Sequence, residues 1–202
     1  MAATKAPVLP AFFVGLPLAQ YERQSDMMIR HILVPIDFSE GSRAALRYAV
    51  ELAERLDATI DALHVWEPAP YIAPTQLIWI GEDARSFWTH MDHSLREQLT
   101  ALIAEEAAEA HIPISAQVQA GYVAQSLLER LKHGNYDLVV MGTHGRTGLS
   151  HLLLGSVAER VVRLAPCPVL TIRVPMHREK ELSIARAERE RHAHDTDTPT
   201  RN

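Results

Sequence analysis

The stretch D-L-V-V-M-G-T-H-G-R-T-G-L-S-H-L-L-L-G-S-V occupies residues 137–157. Residues 137–141 form a short apolar run that reads as a strand buried on both faces, as in parallel sheets. A glycine-punctuated loop follows. Two residues separate Gly142 from Gly145, and nine residues then separate Gly145 from the pair Gly155-Ser156. That pair opens a helix marked by Val157, Val161 and Leu164, which ends before Pro166. A strand, a glycine loop and a helix start make one half of an alternating α/β unit.

The rest of the chain repeats the alternation. Residues 32–36, I-L-V-P-I, read as a first buried strand. Ala45, Leu46, Ala49, Leu52, Ala53 and Leu56 recur at helical spacing up to Asp57, with Ser39 or Ser42 able to cap that helix. Residues 59–65 read as a second strand. Residues 66–83 carry four prolines or glycines and no clear period, so they read as a long connection with an apolar tip. Phe87, Met91, Leu95, Leu99, Leu102 and Ile103 mark a long amphipathic helix. Residues 114–119 alternate as a half-buried strand. Val123, Leu127, Leu128 and Leu131 mark a short helix ending near Gly134, and residues 168–174 form the last strand. The order βαβαβαβαβ predicts an α/β fold: an open five-stranded parallel sheet, helices on both faces, right-handed crossovers.

Domain organisation follows from where this pattern stops. Residues 28–175 form the predicted domain. Residues 1–27 lack a core-forming pattern, and Pro7, Pro10 and Pro17 interrupt their apolar part. They are expected to be a flexible arm, or to precede a start at the Met27-Met28 doublet. Residues 176–202 carry charges of both signs without an apolar period and read as a disordered tail. A formal net charge of -5 gives no positive field to attract nucleic acid. No stretch reaches the roughly 18 to 20 apolar residues that cross a bilayer. With one cysteine, Cys167, no internal disulfide forms. A cytoplasmic protein without nucleic-acid or membrane partners is the expectation.

In open α/β sheets, ligands bind outside the carboxyl ends of the strands. The 142–157 loop lies at such an end. Glycines permit positive φ and close approach of a ligand, and backbone N–H groups at a helix start favour phosphate. Ser156 adds a hydroxyl there. His144 and Arg146 sit where they can supply charge or hydrogen bonds at the rim. A turn and a helix cap would need the same residues without a ligand, but not this full spacing.

The spacing G-x2-G-x9-G-[ST] after a buried strand resembles the ATP-binding signature of the universal stress protein family. I-L-V-P-I-D-F-S-E, A-L-H-V and A-P-C-P-V-L resemble that family's first strand and loop, second strand and last strand. The resemblance runs from about residue 28 to residue 174. It implies a Rossmann-like fold of the adenine nucleotide alpha hydrolase-like kind, and roles residue by residue. Pro35 and Asp37 close the first strand, with Asp37 the acid near ribose and base. Val65 would meet the adenine edge through its backbone. Met141 and Gly142 would border base and ribose. Gly145, Gly155, Ser156 and Val157 would hold the phosphates, with His144 and Arg146 beside them. ATP is the implied ligand, with magnesium or manganese held mainly by its phosphates. No protein metal site is implied: His90 and His93 read as a surface pair.

The chain has no G-x4-G-K-[ST] loop, no G-x-G-x2-G fingerprint and no G-x-S-x-G elbow. No residue pair reads as a nucleophile with its base, so no catalytic residue is assigned. The leading expectation is a nucleotide-dependent stress-response or regulatory protein. A slow ATP hydrolase and a nucleotide-independent interaction module are the alternatives. Residues 169–174 end the domain and are expected at a sheet edge, Val169, Thr171 and Arg173 alternating with Leu170, Ile172 and Val174. Such an edge needs covering. The resemblance implies a homodimer paired through this strand, the other possibility being a monomer whose C-terminal tail covers it.

Overall fold

The computed structural model describes residues 12–14, 28–73, 75, 77–80, 83–143 and 154–174. In chain order these form β1 (Phe12–Val14), β2 (His31–Pro35), α1 (Glu40–Leu56), β3 (Thr59–Trp66), β4 (Leu77–Ile80), β5 (Asp83–Ser86), α2 (Phe87–Glu106), β6 (Ile114–Ala120), α3 (Val123–His133), β7 (Leu138–Gly142), α4 (Ser156–Leu164) and β8 (Val169–Ile172).

Five strands, β8-β7-β2-β3-β6, form a parallel sheet. The strand order reverses between β2 and β7, because the chain first winds outward through β3 and β6 and then returns to the other side of β2. Period-2 alternation divides the core into two layers. Ile32 and Val34 face α1 and α2, packing with Ala45, Leu46, Ala49, Leu99 and Leu102. Leu33, Leu63 and Val139 face α3 and α4, packing with Leu127, Leu131 and Val161. Helices thus cover both faces, and the predicted fold class is observed.

Two features depart from the sequence reading. Residues 12–14 add a sixth strand, antiparallel to β8 at the edge, with Phe12 opposite Thr171 and Val14 opposite Val169. A three-residue strand between Pro10 and Pro17 is too short to give a period. The connection after β3 also contains a hairpin, β4 with β5, separate from the main sheet. The run Leu77–Ile80 is apolar, but its partner D-A-R-S has no strand composition of its own and is made a strand by pairing.

Side chains lock the amino end of the sheet. Asp137 Oδ2 accepts from the backbone N–H of Arg30 at 2.9 Å and of His31 at 3.0 Å, aligning β2 with β7. On β3, Asp61 accepts from Ser115 Oγ at 2.5 Å and Tyr136 Oη at 2.6 Å, with His31 Nε2 at 3.3 Å. Burial alone would raise the Asp61 pKa. The hydrogen bonds from Ser115 and Tyr136, with His31 and Arg130 nearby, outweigh it and hold the carboxyl below its ordinary value. Burial, then the bond to Asp61, pushes the Tyr136 phenol up to about 12.

Candidate functional site

The carboxyl ends of β2 and β7 diverge where the strand order reverses, and a cavity of about 270 Å³ lies between them. Its lining comes from six places. Pro35 ends β2 and Ile36 and Asp37 follow it, Ser42 lies in the first turn of α1, Leu63 and Val65 lie near the end of β3, and Val123 and Leu127 come from α3. Met141, Gly142 and Thr143 end β7, and Gly155, Ser156, Val157 and Ala158 start α4. Leu63, Val65, Leu127 and Met141 belong to the core layer under α3 and α4, so the core itself forms the apolar wall.

The loop after β2 is held in a defined shape. Ser39 caps α1, its Oγ accepting from Ser42 N–H at 3.2 Å. Asp37 Oδ1 accepts from Ser39 N–H at 3.1 Å and Ser39 Oγ at 2.6 Å, turning the carboxylate back over the helix start. Phe38 between them has φ 65, a conformation that non-glycine residues adopt rarely. Its ring packs against buried His64 at 4.7 Å. Nδ1–H of His64 donates to the Ile36 carbonyl at 2.7 Å.

That last bond sets the exposure of β3. Ile36 N–H donates to Leu63 O at 2.9 Å, whereas Gly121 N–H donates to Trp66 O on the β6 side. Backbone groups alternate sides along a strand. The N–H and C=O of Val65 therefore point toward the β2 side, past the last β2–β3 pair, Pro35 with Leu63. The next rung would set Val65 N–H on Ile36 O, and the His64 ring occupies that carbonyl. The Val65 backbone edge is thereby turned to the cavity.

The start of α4 carries the opposite polarity. Gly155 is its N-cap and has no side chain with which to cap it. Gly155 N–H donates to Thr143 O at 2.8 Å, anchoring the helix start to the end of β7. Ser156, Val157 and Ala158 occupy the first turn, where N–H groups have no partner within the helix and the dipole favours an anion. Of the described lining, only Asp37 has an ionisable side chain.

Eight of the residues singled out in the sequence line this cavity: Pro35, Asp37, Val65, Met141, Gly142, Gly155, Ser156 and Val157. His144, Gly145 and Arg146 lie outside the described residues. The backbone at two of these glycines adds to the sequence reading. Gly155 has φ -60, so no positive φ is required there. At Gly142 a Cβ would lie 2.9 Å from the carbonyl carbon of Gly41, so glycine lets the first turn of α1 pack directly on β7. The sequence reading took Val123 and Leu127 only as a helix's apolar stripe, and here they also wall the cavity. The sequence singles out Ser42 only as a possible helix cap, and Thr143 carries no signal there that separates it from ordinary loop residues.

A parallel sheet covered on both faces, with an apolar cavity and an uncapped helix start at its switch point, defines an open α/β protein with a candidate ligand cavity. The model of the universal stress protein family matches residues 28–173, and the chain belongs to that family. It is 32% identical over 156 residues to universal stress protein MJ0531 of Methanocaldococcus jannaschii, an alignment covering 76% of this chain and 87% of that one. Two solved structures share the fold. A universal stress protein in complex with cAMP superposes with a TM-score of 0.54 at 20% identity, over 72% of this chain and 98% of the other. The universal stress protein from Archaeoglobus fulgidus in complex with dAMP gives 0.50 at 18% identity, over 72% and 98%.

Proposed function

We propose that this chain binds an adenine nucleotide, ATP first among them, in the cavity between β2 and β7, and acts as a nucleotide-dependent stress-response or regulatory protein. The observation that carries this reading is the opposition of two unlike ends in one cavity. At one end lie Leu63, Val65, Leu127 and Met141 with a backbone donor and acceptor at Val65. Adenine presents a matching flat apolar face and a donor–acceptor edge. At the other end the first turn of α4 offers backbone N–H groups and the Ser156 hydroxyl, a set that suits phosphate. Asp37 lines the same cavity and offers a carboxylate to ribose hydroxyls. The cAMP and dAMP complexes of the two relatives support an adenine nucleotide in this fold.

Magnesium or manganese fits here as a companion of the phosphates. Among the described residues no group of three His, Cys, Asp or Glu side chains is arranged to hold a metal. Asp37 is the one carboxylate on the described wall, and its Oδ1 already accepts two bonds from Ser39. Such an ion would neutralise phosphate charge and keep most of its waters. Asp37 and the α4 amides orient the nucleotide, and the apolar wall excludes water from the base. No general base is assigned, so binding is proposed without efficient turnover.

Two measurements test this. Purified protein is denatured and its released small molecules identified by mass spectrometry. ATP, AMP and GTP are then titrated calorimetrically into nucleotide-free protein. An adenine nucleotide released, and ATP binding more tightly than GTP, is the expected result. No heat from any adenine nucleotide at millimolar concentration would overturn the reading.

A further inference from the structure

β8 closes the parallel sheet on one side. Its inner edge pairs with β7 over four positions, from Val139 with Val169 to Gly142 with Ile172. Its outer edge would be open if the sheet ended there. All four β8 side chains are buried, Leu170 and Ile172 in one core layer and Val169 in the other. An open edge strand with buried, mostly apolar side chains is a strong template for another strand. Residues 12–14 take that place, antiparallel, in the register Phe12 with Thr171, Phe13 with Leu170 and Val14 with Val169.

Two properties make this cover displaceable. It is three pairs long, against seven for β3 with β6. Its attachment is also loose in length. Val14 pairs with the first residue of β8, at the end of the sheet where β2 begins, and sixteen residues (15–30) join Val14 to His31. The gap spans three strand spacings, roughly 14 Å, which that many residues bridge with slack.

A second copy of the chain presents the same geometry. Two β8 strands related by a twofold axis are necessarily antiparallel, as β1 and β8 are. Each would offer the other a strand of four residues, one more than β1 supplies. We propose that residues 12–14 are an internal occupant of a self-association edge, so that β1 and the β8 of a second copy compete for the same backbone groups of β8. The N-terminal segment then sets the concentration at which the chain pairs with itself.

Full-length protein without added nucleotide tests this, which keeps the outcome separate from the nucleotide reading. Sedimentation over a concentration series compares wild type with Phe13→Pro, which removes an N–H and disfavours the strand. A second variant carries Val14→Cys and Val169→Cys, directly opposed positions, oxidised to lock the cover in place. Phe13→Pro is expected to dimerise at concentrations at least ten-fold lower than wild type. The locked chain is expected to stay monomeric and to dimerise after reduction. If Phe13→Pro does not fold, the locked chain alone decides. Unchanged or weaker self-association of folded Phe13→Pro overturns the proposal. So does a locked chain that dimerises like wild type, or a reduced chain that stays monomeric throughout.

Discussion

Gly155 is the N-cap of α4 and Ser156 its first residue. Because Gly155 has φ -60, a side chain there is tolerated by the backbone, and what it would change is the space above the helix start. Gly155→Val is therefore expected to remove most ATP affinity while the circular dichroism spectrum stays that of wild type. Ser156→Ala removes one hydroxyl donor and is expected to cost about 1 to 3 kcal/mol of binding if that bond is charge-assisted. Arg146→Ala is expected to cost less. Gly148→Val, inside the nine-residue spacer, is expected to cost less than Gly155→Val. Calorimetric titration of ATP into the four variants ranks them. Equal affinity of wild type and folded Gly155→Val would show that this helix start does not hold phosphate. Since Gly155 N–H is given to Thr143 O, the phosphate donors expected are the next three amides in the chain.

Gly142 acts between elements. A Cβ placed there meets the backbone of Gly41, which has no flexible end to move aside. Gly142→Ala is expected to push α1 off β7 and cost about 1 to 3 kcal/mol, the usual range for overpacking, read as a lower melting temperature. Asp61 ties β3 to β6 and to the α3–β7 loop, and its charge is favoured by folding. Its folded pKa lies below the ordinary 3.8, so its contribution is complete above that value and lost as pH falls through the folded one. Asp61→Asn should therefore be less stable than wild type at neutral pH, and should lose less stability on acidification below about pH 4. Denaturant midpoints measured at pH 6 and pH 3 check this. A steeper acid loss in the variant would reverse the assignment.

The same scale shows why some elements were legible in the sequence and others not. The strands β2 and β7 carry continuous apolar runs, and β3 and β8 are mostly apolar, because helices bury both their faces, and burial is what the composition records. The helix faces repeat at 3.6 residues for the same reason. β5 is D-A-R-S, and only its pairing with Leu77–Ile80 makes it a strand. In the site, glycine spacing singled out Gly142, Gly155 and Ser156, yet the physical role of Gly142 depends on where Gly41 lies, 101 positions earlier in the chain. Val123 and Leu127 keep helical spacing whether they face a cavity or a filled core, so spacing could not tell the two apart.

At the scale of the whole molecule, both core layers and the cavity lie within residues 28–174. β1 adds three backbone pairs outside that span. A chain of residues 28–176, studied at a concentration low enough to stay monomeric, is expected to melt within a few degrees of the full-length protein. One kcal/mol corresponds to about 2 to 4 °C for a protein of this size. Loss of cooperative melting on that truncation would mean that the terminal residues belong to the folding unit.

Cys167 is the single thiol of the chain, buried just before β8, and burial first, with Asp137 second, pushes its pKa up to about 11. Burial shields the sulfur from reagents until the surrounding structure opens, which makes this residue a built-in clock for that opening. Under a mild alkylating reagent at neutral pH, the modification rate is set by how often the β7–β8 region comes apart, as hydrogen exchange is for an amide. A ligand that bridges β7 and α4 holds the same region shut. Saturating ATP should thus slow the labelling of Cys167 by the factor one plus free ligand over Kd, so affinity can be read from a reaction rate in unpurified mixtures and without a dye. Labelling unaffected by saturating ATP would place the opening of this region outside the reach of the nucleotide.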